Sequence, residues 1–163
     1  MRAIILAAGV ARRLYPLTFD KPKCLLEVAG QPILNYQVKA LKQIGISEAT
    51  IVVGYYKGMI INHLKTNFDE FEFNFVNNPH FFETNTSYSL HLCEDVLREG
   101  ECLLMNGDVL YPVELQCRLH LYHHIYLSGF QVLLYYRSGK AALCLQALEA
   151  HPQVQVPVTT TLL

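Results

Sequence analysis

The chain has 163 residues, of which 52% are hydrophobic, and its formal net charge is −1 with neutral histidines. This length fits one domain with a substantial apolar core. The near-zero charge lacks the basic excess that is typical of proteins binding nucleic acid or anionic membranes. No apolar run reaches the roughly 18–20 residues that a membrane-spanning helix needs, so we expect no membrane span.

The N-terminus and the cysteines predict a cytoplasmic protein. The chain begins MRAIILAAGVARR, where a short apolar run precedes the arginines. A secretory signal peptide has the opposite order and a longer apolar run. The five cysteines are widely spaced and form no CxxC pair. An odd number of separated cysteines without a signal peptide favours reduced thiols in the cytosol.

The first 112 residues predict alternating strands and helices. Short apolar or β-branched runs predict strands, and phenylalanines that alternate with polar residues predict another. Pro32 suits the first position of one helix, Gly45 suits its end, and Thr84 or Asn85 can cap a later helix. In chain order we predict a strand at 3–7, a helix at 31–44, a strand at 49–53, a helix at 57–67, a strand around 71–75, a helix from 84 or 85 to about 97, and a strand at 101–105.

This order of elements predicts an α/β fold with a mostly parallel sheet, because strand–helix–strand units are joined by right-handed crossovers. Ligands of such sheets bind at the carboxyl ends of the strands. The segments that follow the first and fourth predicted strands, 9–23 and 106–108, are therefore expected on the ligand-binding edge. The segment from residue 113 onward shows no clean alternation and contains no Asp.

The segment after the first strand has the composition of an anion site. Small residues at Ala7, Ala8 and Gly9 allow backbone N–H groups to approach an anion closely. Four cations follow, and Arg and Lys side chains suit a triphosphate: Arg12, Arg13, Lys21 and Lys23. The alternative is a surface loop with solvated charges. The segment is neither a P-loop, since GK[ST] is absent, nor a GxGxxG fingerprint.

Residues 6–34 read LAAGVARRLYPLTFDKPKCLLEVAGQPIL. The pattern LAAGxAxRLxPLTxxxPKxLLxVxGxPIL resembles the signature of the sugar-phosphate nucleotidyltransferase superfamily, in which Ala11 is more often a glycine. The resemblance continues through Gly54-Tyr55 to Asn106-Gly107-Asp108 and covers about residues 1–112. It implies a Rossmann-like three-layer αβα sandwich, similar to nucleotide-diphospho-sugar transferases.

The resemblance also implies roles for individual residues. Leu6, Ala7, Ala8 and Gly9 would line the nucleotide. Arg13 would bind the leaving β- and γ-phosphates, and Lys23 would bridge the α-phosphate and the attacking acceptor. Asp108 would bind Mg²⁺, the implied cofactor. Taken without the resemblance, an Asp after a strand is more often a turn residue or a helix cap.

The middle segment narrows the implied substrates. The Asn-x-x-x-Ser-Leu pattern at 85–90 resembles the branch that makes CDP-choline and related CDP-alcohols from CTP, so Asn85 and Ser89 would contact nucleotide or acceptor. Alternatively Asn85 caps a helix and Ser89 is a small packing residue. Six side chains could form a wall around the quaternary ammonium of phosphocholine, although such aromatics are more often core: Tyr55, Tyr56, Phe81, Phe82, Glu83 and Tyr88.

We therefore expect an enzyme that transfers a nucleoside monophosphate, CMP from CTP in first place, to a phosphorylated small molecule such as phosphocholine. A sugar-1-phosphate nucleotidyltransferase, a nucleotide-binding module without turnover, and a small α/β protein that uses its sheet for partner contacts are the alternatives. We predict a nucleotide-binding domain at 1–112 and a divergent tail at 113–163. The domain is expected to be truncated or altered at its C-terminus, for example by a shifted reading frame.

Overall fold

The computed structural model describes residues 1–110 and the backbone of two short strands beyond them. The strands are β1 (Arg2–Ala7), β2 (Glu27–Val28), β3 (Gln31–Pro32), β4 (Glu48–Val53), β5 (Glu72–Asn77), β6 (Cys102–Asn106), β7 (Leu134–Arg137) and β8 (Lys140–Ala141). The helices are α1 (Ile33–Gln43), α2 (Lys57–Asn67), α3 (Thr86–His91) and α4 (Glu94–Arg98), with single 3₁₀ turns at Arg12–Leu14 and Lys23–Leu25.

The main sheet has the strand order β5-β4-β1-β6-β7-β8. The first four strands in this order pair in parallel, whereas β7 pairs antiparallel with β6 and with β8. Leu6 lies beside Val52 on one side and Asn106 on the other. After β1 the chain forms β4 and β5 on one side of β1, and it then crosses to form β6 on the other side. The carboxyl ends of β1 and β6 therefore lie at the topological switch point of the sheet. The predicted mostly parallel α/β sheet is confirmed.

Apolar side chains cover both faces of this sheet, so the sheet lies between two layers of helices. Ala3 and Ile5 of β1 belong to a core cluster with Leu34 and Leu41 of α1 and with residues of α2. Ile4, which points to the opposite face, belongs to a second cluster, against which side chains of α3 and α4 pack: Leu90, Val96 and Leu97. The predicted αβα sandwich is therefore present, because each face of the sheet buries one layer of helices.

Two predicted helices differ in detail from the structure. The first begins at Ile33, because Pro32 is extended and pairs with Glu27 in the β2–β3 hairpin. It ends as predicted before Gly45, whose φ of 80° suits glycine. The predicted helix after residue 84 is two short helices, α3 and α4. The break between them places Cys93 in the second core cluster.

The described helices have at most 11 residues, and none of them is long and apolar enough to cross a membrane. The predicted boundary at residue 112 lies outside the described residues. So does the predicted tail at 113–163, apart from the backbones of β7 and β8. The two-part division of the chain therefore stays a prediction.

Candidate active site

A cleft of about 420 Å³ opens at the carboxyl ends of β1 and β6. This volume falls within the range of small-molecule sites, about 300–1,000 Å³, and the position is where open α/β sheets bind ligands. The lining residues come from β1, from the segments after β1, β5 and β6, and from α3: Leu6, Ala7, Ala8, Gly9, Ala11, Lys23, Cys24, Asn78, Phe81, Thr84, Asn85, Thr86, Ser89, Asn106, Gly107 and Asp108.

Most residues that the sequence predicted for the site line this cleft. Leu6, Ala7, Ala8 and Gly9 form one wall, and Lys23 and Asp108 lie on the same cleft although 85 positions separate them in the chain. Asn85 and Ser89 contribute the α3 side. The sheet edge therefore collects the motif residues as the parallel topology predicts. Their roles towards a nucleotide or a metal stay predictions.

Two glycines allow the strand ends to approach one another closely. The backbone N–H of Gly107 donates to the carbonyl of Leu6 at 2.9 Å, and a Cβ on residue 107 would lie 2.9 Å from that oxygen. At Gly54 a Cβ would lie 2.9 Å from the carbonyl oxygen of Ala8 and 2.6 Å from the Cβ of Phe81. Side chains at these two positions would push the cleft walls apart.

Lys23 and Asp108 form an ion pair across the cleft, between Nζ of the lysine and Oδ2 of the aspartate. Their side chains are 31% and 30% exposed, so both charges are accessible from the opening. The 3₁₀ turn Lys23–Leu25 presents the lysine, and the loop after β6 presents the aspartate. The cleft therefore holds one cation and one anion in contact, each of which a charged ligand can approach.

Cys24 lines the same cleft, but its burial disfavours the reactive thiolate form. The side chain is buried, and this burial raises the pKa of the thiol to about 12, an effect to which the charge of Asp108 adds. Because the thiolate is the reactive form, the thiol stays protonated and inert near neutral pH. Covalent catalysis by this cysteine is therefore not supported.

The α3 side of the cleft is organised by Asn78, which the sequence analysis did not single out. Its Nδ2 donates to the hydroxyls of Thr84 and Ser89, each at 3.1 Å, and its Oδ1 accepts from the N–H of His80 at 2.9 Å. Asn78 is buried. An Asn-Pro pair directly after a strand is a turn signal in the sequence, but it does not reveal these partners.

Asn85 and Ser89 have structural contacts as well as cleft-lining positions. The Oδ1 of Asn85 accepts from the N–H groups of Ser87 and Tyr88, at 3.0 and 3.4 Å, and so caps α3. Ser89 is buried and bonded to Asn78. The capping and packing alternatives are thus observed, and both residues also face the cleft, so a second role towards a ligand is sterically available to them.

The arginines of the first loop (residues 8–26, between β1 and β2) are not in the cleft. Arg13 is exposed in the 3₁₀ turn Arg12–Leu14 and does not line the cavity. The Arg12 guanidinium lies over the ring of Phe82, 3.9 Å from its centroid, a favourable cation–π contact. The predicted contact of Arg13 with phosphates is therefore not preformed.

Two tyrosines that follow β4 contact the middle of the first loop. The Tyr55 hydroxyl lies 3.1 Å from the carbonyl oxygens of Thr18 and Phe19, and the Tyr56 hydroxyl donates to that of Phe19 at 3.2 Å. The Thr18 hydroxyl donates to the carbonyl of Ala11 at 3.0 Å. Of the six predicted wall residues for an ammonium group, Phe81 lines the cleft.

Comparison of the sequence with known protein families assigns the chain to one of them. The profile of the family described as Nucleotidyl transferase matches residues 2–132, and the chain belongs to this family. The match begins with β1, includes every described residue that lines the cleft, and extends past residue 112, to which the sequence resemblance was predicted to reach.

Several relatives transfer cytidylyl groups, according to their names. The chain is 34% identical over 116 residues to a CTP:phosphoglutamine cytidylyltransferase of Campylobacter jejuni and 39% identical over 97 residues to a choline-phosphate cytidylyltransferase of Streptococcus pneumoniae. These matches cover 68% and 60% of this chain. The solved structure of a CTP:phosphocholine cytidylyltransferase from Streptococcus pneumoniae superposes with a TM-score of 0.57 at 36% identity, covering 66% of this chain and 44% of that one.

The chain spans less than half the length of the curated relatives that it matches. The aligned parts are 45% of the Campylobacter protein and 41% of the Streptococcus protein.

Proposed function

We propose that this chain is a nucleotidyltransferase that binds CTP in the cleft and transfers CMP to a phosphorylated small molecule, with phosphocholine as the first candidate. Pyrophosphate is the second product. The observation that carries the proposal is the Lys23–Asp108 pair, which lines a cavity of ligand size together with the small residues at the end of β1. Family membership and the names of the cytidylyltransferase relatives support the reaction class.

The reaction needs positioning and charge stabilisation more than covalent chemistry. An oxygen of the acceptor phosphate attacks the α-phosphorus of the nucleotide, and the bond from that phosphorus to the β-phosphate oxygen breaks, so pyrophosphate leaves. A displacement of this kind is promoted by aligning the two phosphates and by neutralising their charge. The inert thiol of Cys24 fits a direct transfer without a covalent enzyme intermediate.

Lys23 is the residue that we assign to charge stabilisation. Its side chain lines the cleft and is 31% exposed, and the partner of its ammonium is a carboxylate. A lysine is a mobile point charge, so its Nζ can exchange the carboxylate of Asp108 for the α-phosphate. Arg13 is proposed to bind the β- and γ-phosphates, a contact for which the side chain turns inward from its exposed position.

Asp108 is proposed to hold Mg²⁺. Carboxylate oxygens suit this ion, which is commonly bound through one or two carboxylates together with water and substrate phosphates. Within residues 1–110, no group of three or more His, Cys, Asp or Glu side chains is arranged to hold a metal ion. With Asp108 as the proposed protein ligand, water and phosphate oxygens of the nucleotide would supply the other ligands. When bound, Mg²⁺ would neutralise phosphate charge.

The opposite walls are proposed to read the nucleoside. The backbone of residues 6–9 can approach base and ribose because Ala7, Ala8 and Gly9 present no large side chain. Asn85 and Ser89 face this wall from α3. The preference for CTP rests on the Asn-x-x-x-Ser-Leu pattern and on the relatives' names.

The test is magnesium-dependent release of pyrophosphate from each of the four NTPs. Phosphocholine, phosphoethanolamine, inositol phosphate and hexose 1-phosphates serve as acceptors. Release with CTP and phosphocholine supports the proposal, and release with a hexose 1-phosphate instead favours the sugar-phosphate alternative. No release with any pair, while CTP raises the melting temperature, would leave a binding module without turnover.

A further inference from the structure

A buried amide on α1 contacts the loop that carries Asp108. Gln37 is 1% exposed and lies on the same buried side of α1 as Leu34, Val38 and Leu41, all of which are fully buried. It is the one polar side chain among the buried residues of this helix. A polar group in such a position needs partners, because burying it without them destabilises the fold.

One partner is the backbone carbonyl of Asn106, the last residue of β6, and the other is that of Val109 in the second loop (the described residues 107–110 that follow β6). Nε2 of Gln37 donates to the carbonyl of Asn106 at 2.8 Å and to that of Val109 at 2.6 Å. The orientation of the amide follows from this arrangement, since carbonyl oxygens only accept and the NH₂ group has two protons to donate. The two bonded residues flank Gly107 and Asp108 in the chain.

The same amide leaves its oxygen unpaired. Among residues 1–110, Oε1 of Gln37 is the one buried side-chain nitrogen or oxygen without a hydrogen-bond partner. An apolar side chain of similar size would fill the space on α1 without that cost. We therefore expect Gln37 to stabilise the loop that it contacts rather than the core in which it lies.

The turn at 106–109 is fixed from two sides. The N–H of Val109 donates to the carbonyl of Asn106 at 3.3 Å and closes the turn, while the N–H of Gly107 ties it to Leu6 of β1. Gln37 bridges both ends of this turn from the helix layer. Asp108 lies between the bridged ends and ion-pairs with Lys23.

We propose that Gln37 is a positioning residue that holds the turn at 106–109 so that the Asp108 carboxylate faces Lys23 in the cleft. Gln37 does not line the cleft, and it acts through the carbonyls of Asn106 and Val109. The consequence for metal binding rests on the proposed function of Asp108, whereas the effect on the turn does not.

The test compares Gln37→Met, which keeps the length and removes the donor, with Val38→Ala, a core truncation on the same helix. Amide hydrogen exchange is followed at Gly107 and Val109, whose N–H groups bond within and beside the turn. Gln37→Met is expected to raise their exchange rates at least about tenfold relative to the amides of β1 and β4. Val38→Ala is expected to lower the melting temperature without this local change. Gln37→Glu, which also removes the NH₂ donor, serves as a second variant.

A second readout is the affinity of Mn²⁺ for the complex with CTP, measured by electron paramagnetic resonance. Gln37→Met should weaken Mn²⁺ binding at least about tenfold, whereas Val38→Ala should not. Unchanged exchange at Gly107 and Val109 in both Gln37 variants would overturn the holding role. A loosened turn with unchanged Mn²⁺ affinity would overturn the positioning role. Absence of Mn²⁺–CTP binding in the wild type would contradict the proposed function and leave the exchange result to decide the holding role.

Discussion

The two loops that meet at the cleft are built in opposite ways. The first loop spans residues 8–26, carries the motif's cations, and leaves both Arg12 and Arg13 exposed. The described residues of the second loop are tied to β1 through Gly107 and to α1 through Gln37. These ties hold one carboxylate in place, while the first loop presents charges that can adapt to a ligand.

This difference fits the two kinds of partner that we propose. A metal ion demands a carboxylate at a defined position, because coordination distances vary little. A triphosphate is a flexible chain of charges, and long basic side chains can follow it. Lys23 combines both features. Its backbone is held in a 3₁₀ turn of the first loop, and its ammonium contacts Asp108 of the second loop.

The largest effect on turnover is expected from removing Lys23, which joins the two loops through its ion pair with Asp108. Lys23→Ala should lower kcat at least about 100-fold, the usual cost of losing one group that stabilises transition-state charge, and should change the KM for CTP less than about threefold. Lys65→Ala, an exposed lysine on α2, is the matched control and should retain full turnover. Steady-state pyrophosphate release measures both. A fall of less than about tenfold would contradict the role of Lys23.

The next effect concerns the rigid second loop. Gly107→Ala would place a Cβ 2.9 Å from the carbonyl oxygen of Leu6 and 3.1 Å from the Cβ of Ala7, so we expect a loss of about 1–3 kcal/mol of unfolding free energy. Gly9→Ala, in the first loop, meets nothing within 4 Å and should be nearly neutral. Urea denaturation of both variants provides the measurement. Equal stabilities would show that the second loop is not constrained as the structure indicates.

Asn85 lines the cleft together with residues of both loops, and it also caps α3. Asn85→Ala should cost about 1 kcal/mol of stability through the lost cap. Asn85→Asp keeps an acceptor for the N–H groups of Ser87 and Tyr88 and should remain stable, but it loses the amide donor. If Asn85 also contacts the nucleotide, Asn85→Asp weakens CTP binding in a titration. Unaltered CTP affinity in a stable Asn85→Asp variant would restrict this residue to capping.

A smaller effect is expected where the first loop is anchored. Tyr55→Phe removes the hydroxyl that reaches the carbonyls of Thr18 and Phe19, so we expect a small loss of stability and faster proteolysis within the loop. Tyr36→Phe removes a single hydrogen bond to the carbonyl of Val28 at 2.8 Å and is the control. Identical cleavage patterns of the two variants would argue against anchoring by Tyr55.

The sequence predicted the sheet better than the cleft. Strands such as β1 and β4 were predicted to within one residue at each end, because a buried apolar run leaves a local signal. Lys23 and Asp108 were found through a motif, and the parallel topology explains their meeting. Gln37 gave no signal, because its partners at residues 106 and 109 lie 69 and 72 positions away and only the folded chain brings them together.

Side-chain direction was the other feature that the sequence could not specify. The motif marked Arg13 as a phosphate ligand, and the structure leaves it exposed outside the cleft. An arginine on a turn can take many rotamers, and the choice depends on a ligand whose charge is absent from the sequence. The break between α3 and α4 was missed for a related reason, since burial of Cys93 in the second core cluster is a tertiary effect.

The most direct test of the cleft is titration of the ¹⁵N-labelled chain with CTP and Mg²⁺, followed by amide chemical shifts. We predict the largest changes at the N–H groups of residues 7–9, at the end of β1 and the start of the first loop, and at Gly107 and Asp108, with smaller changes at Ser89. The same titration of Lys23→Ala should perturb the same amides. Shifts confined to other surfaces, or no shifts at millimolar CTP, would contradict the proposal that this cleft binds the nucleotide.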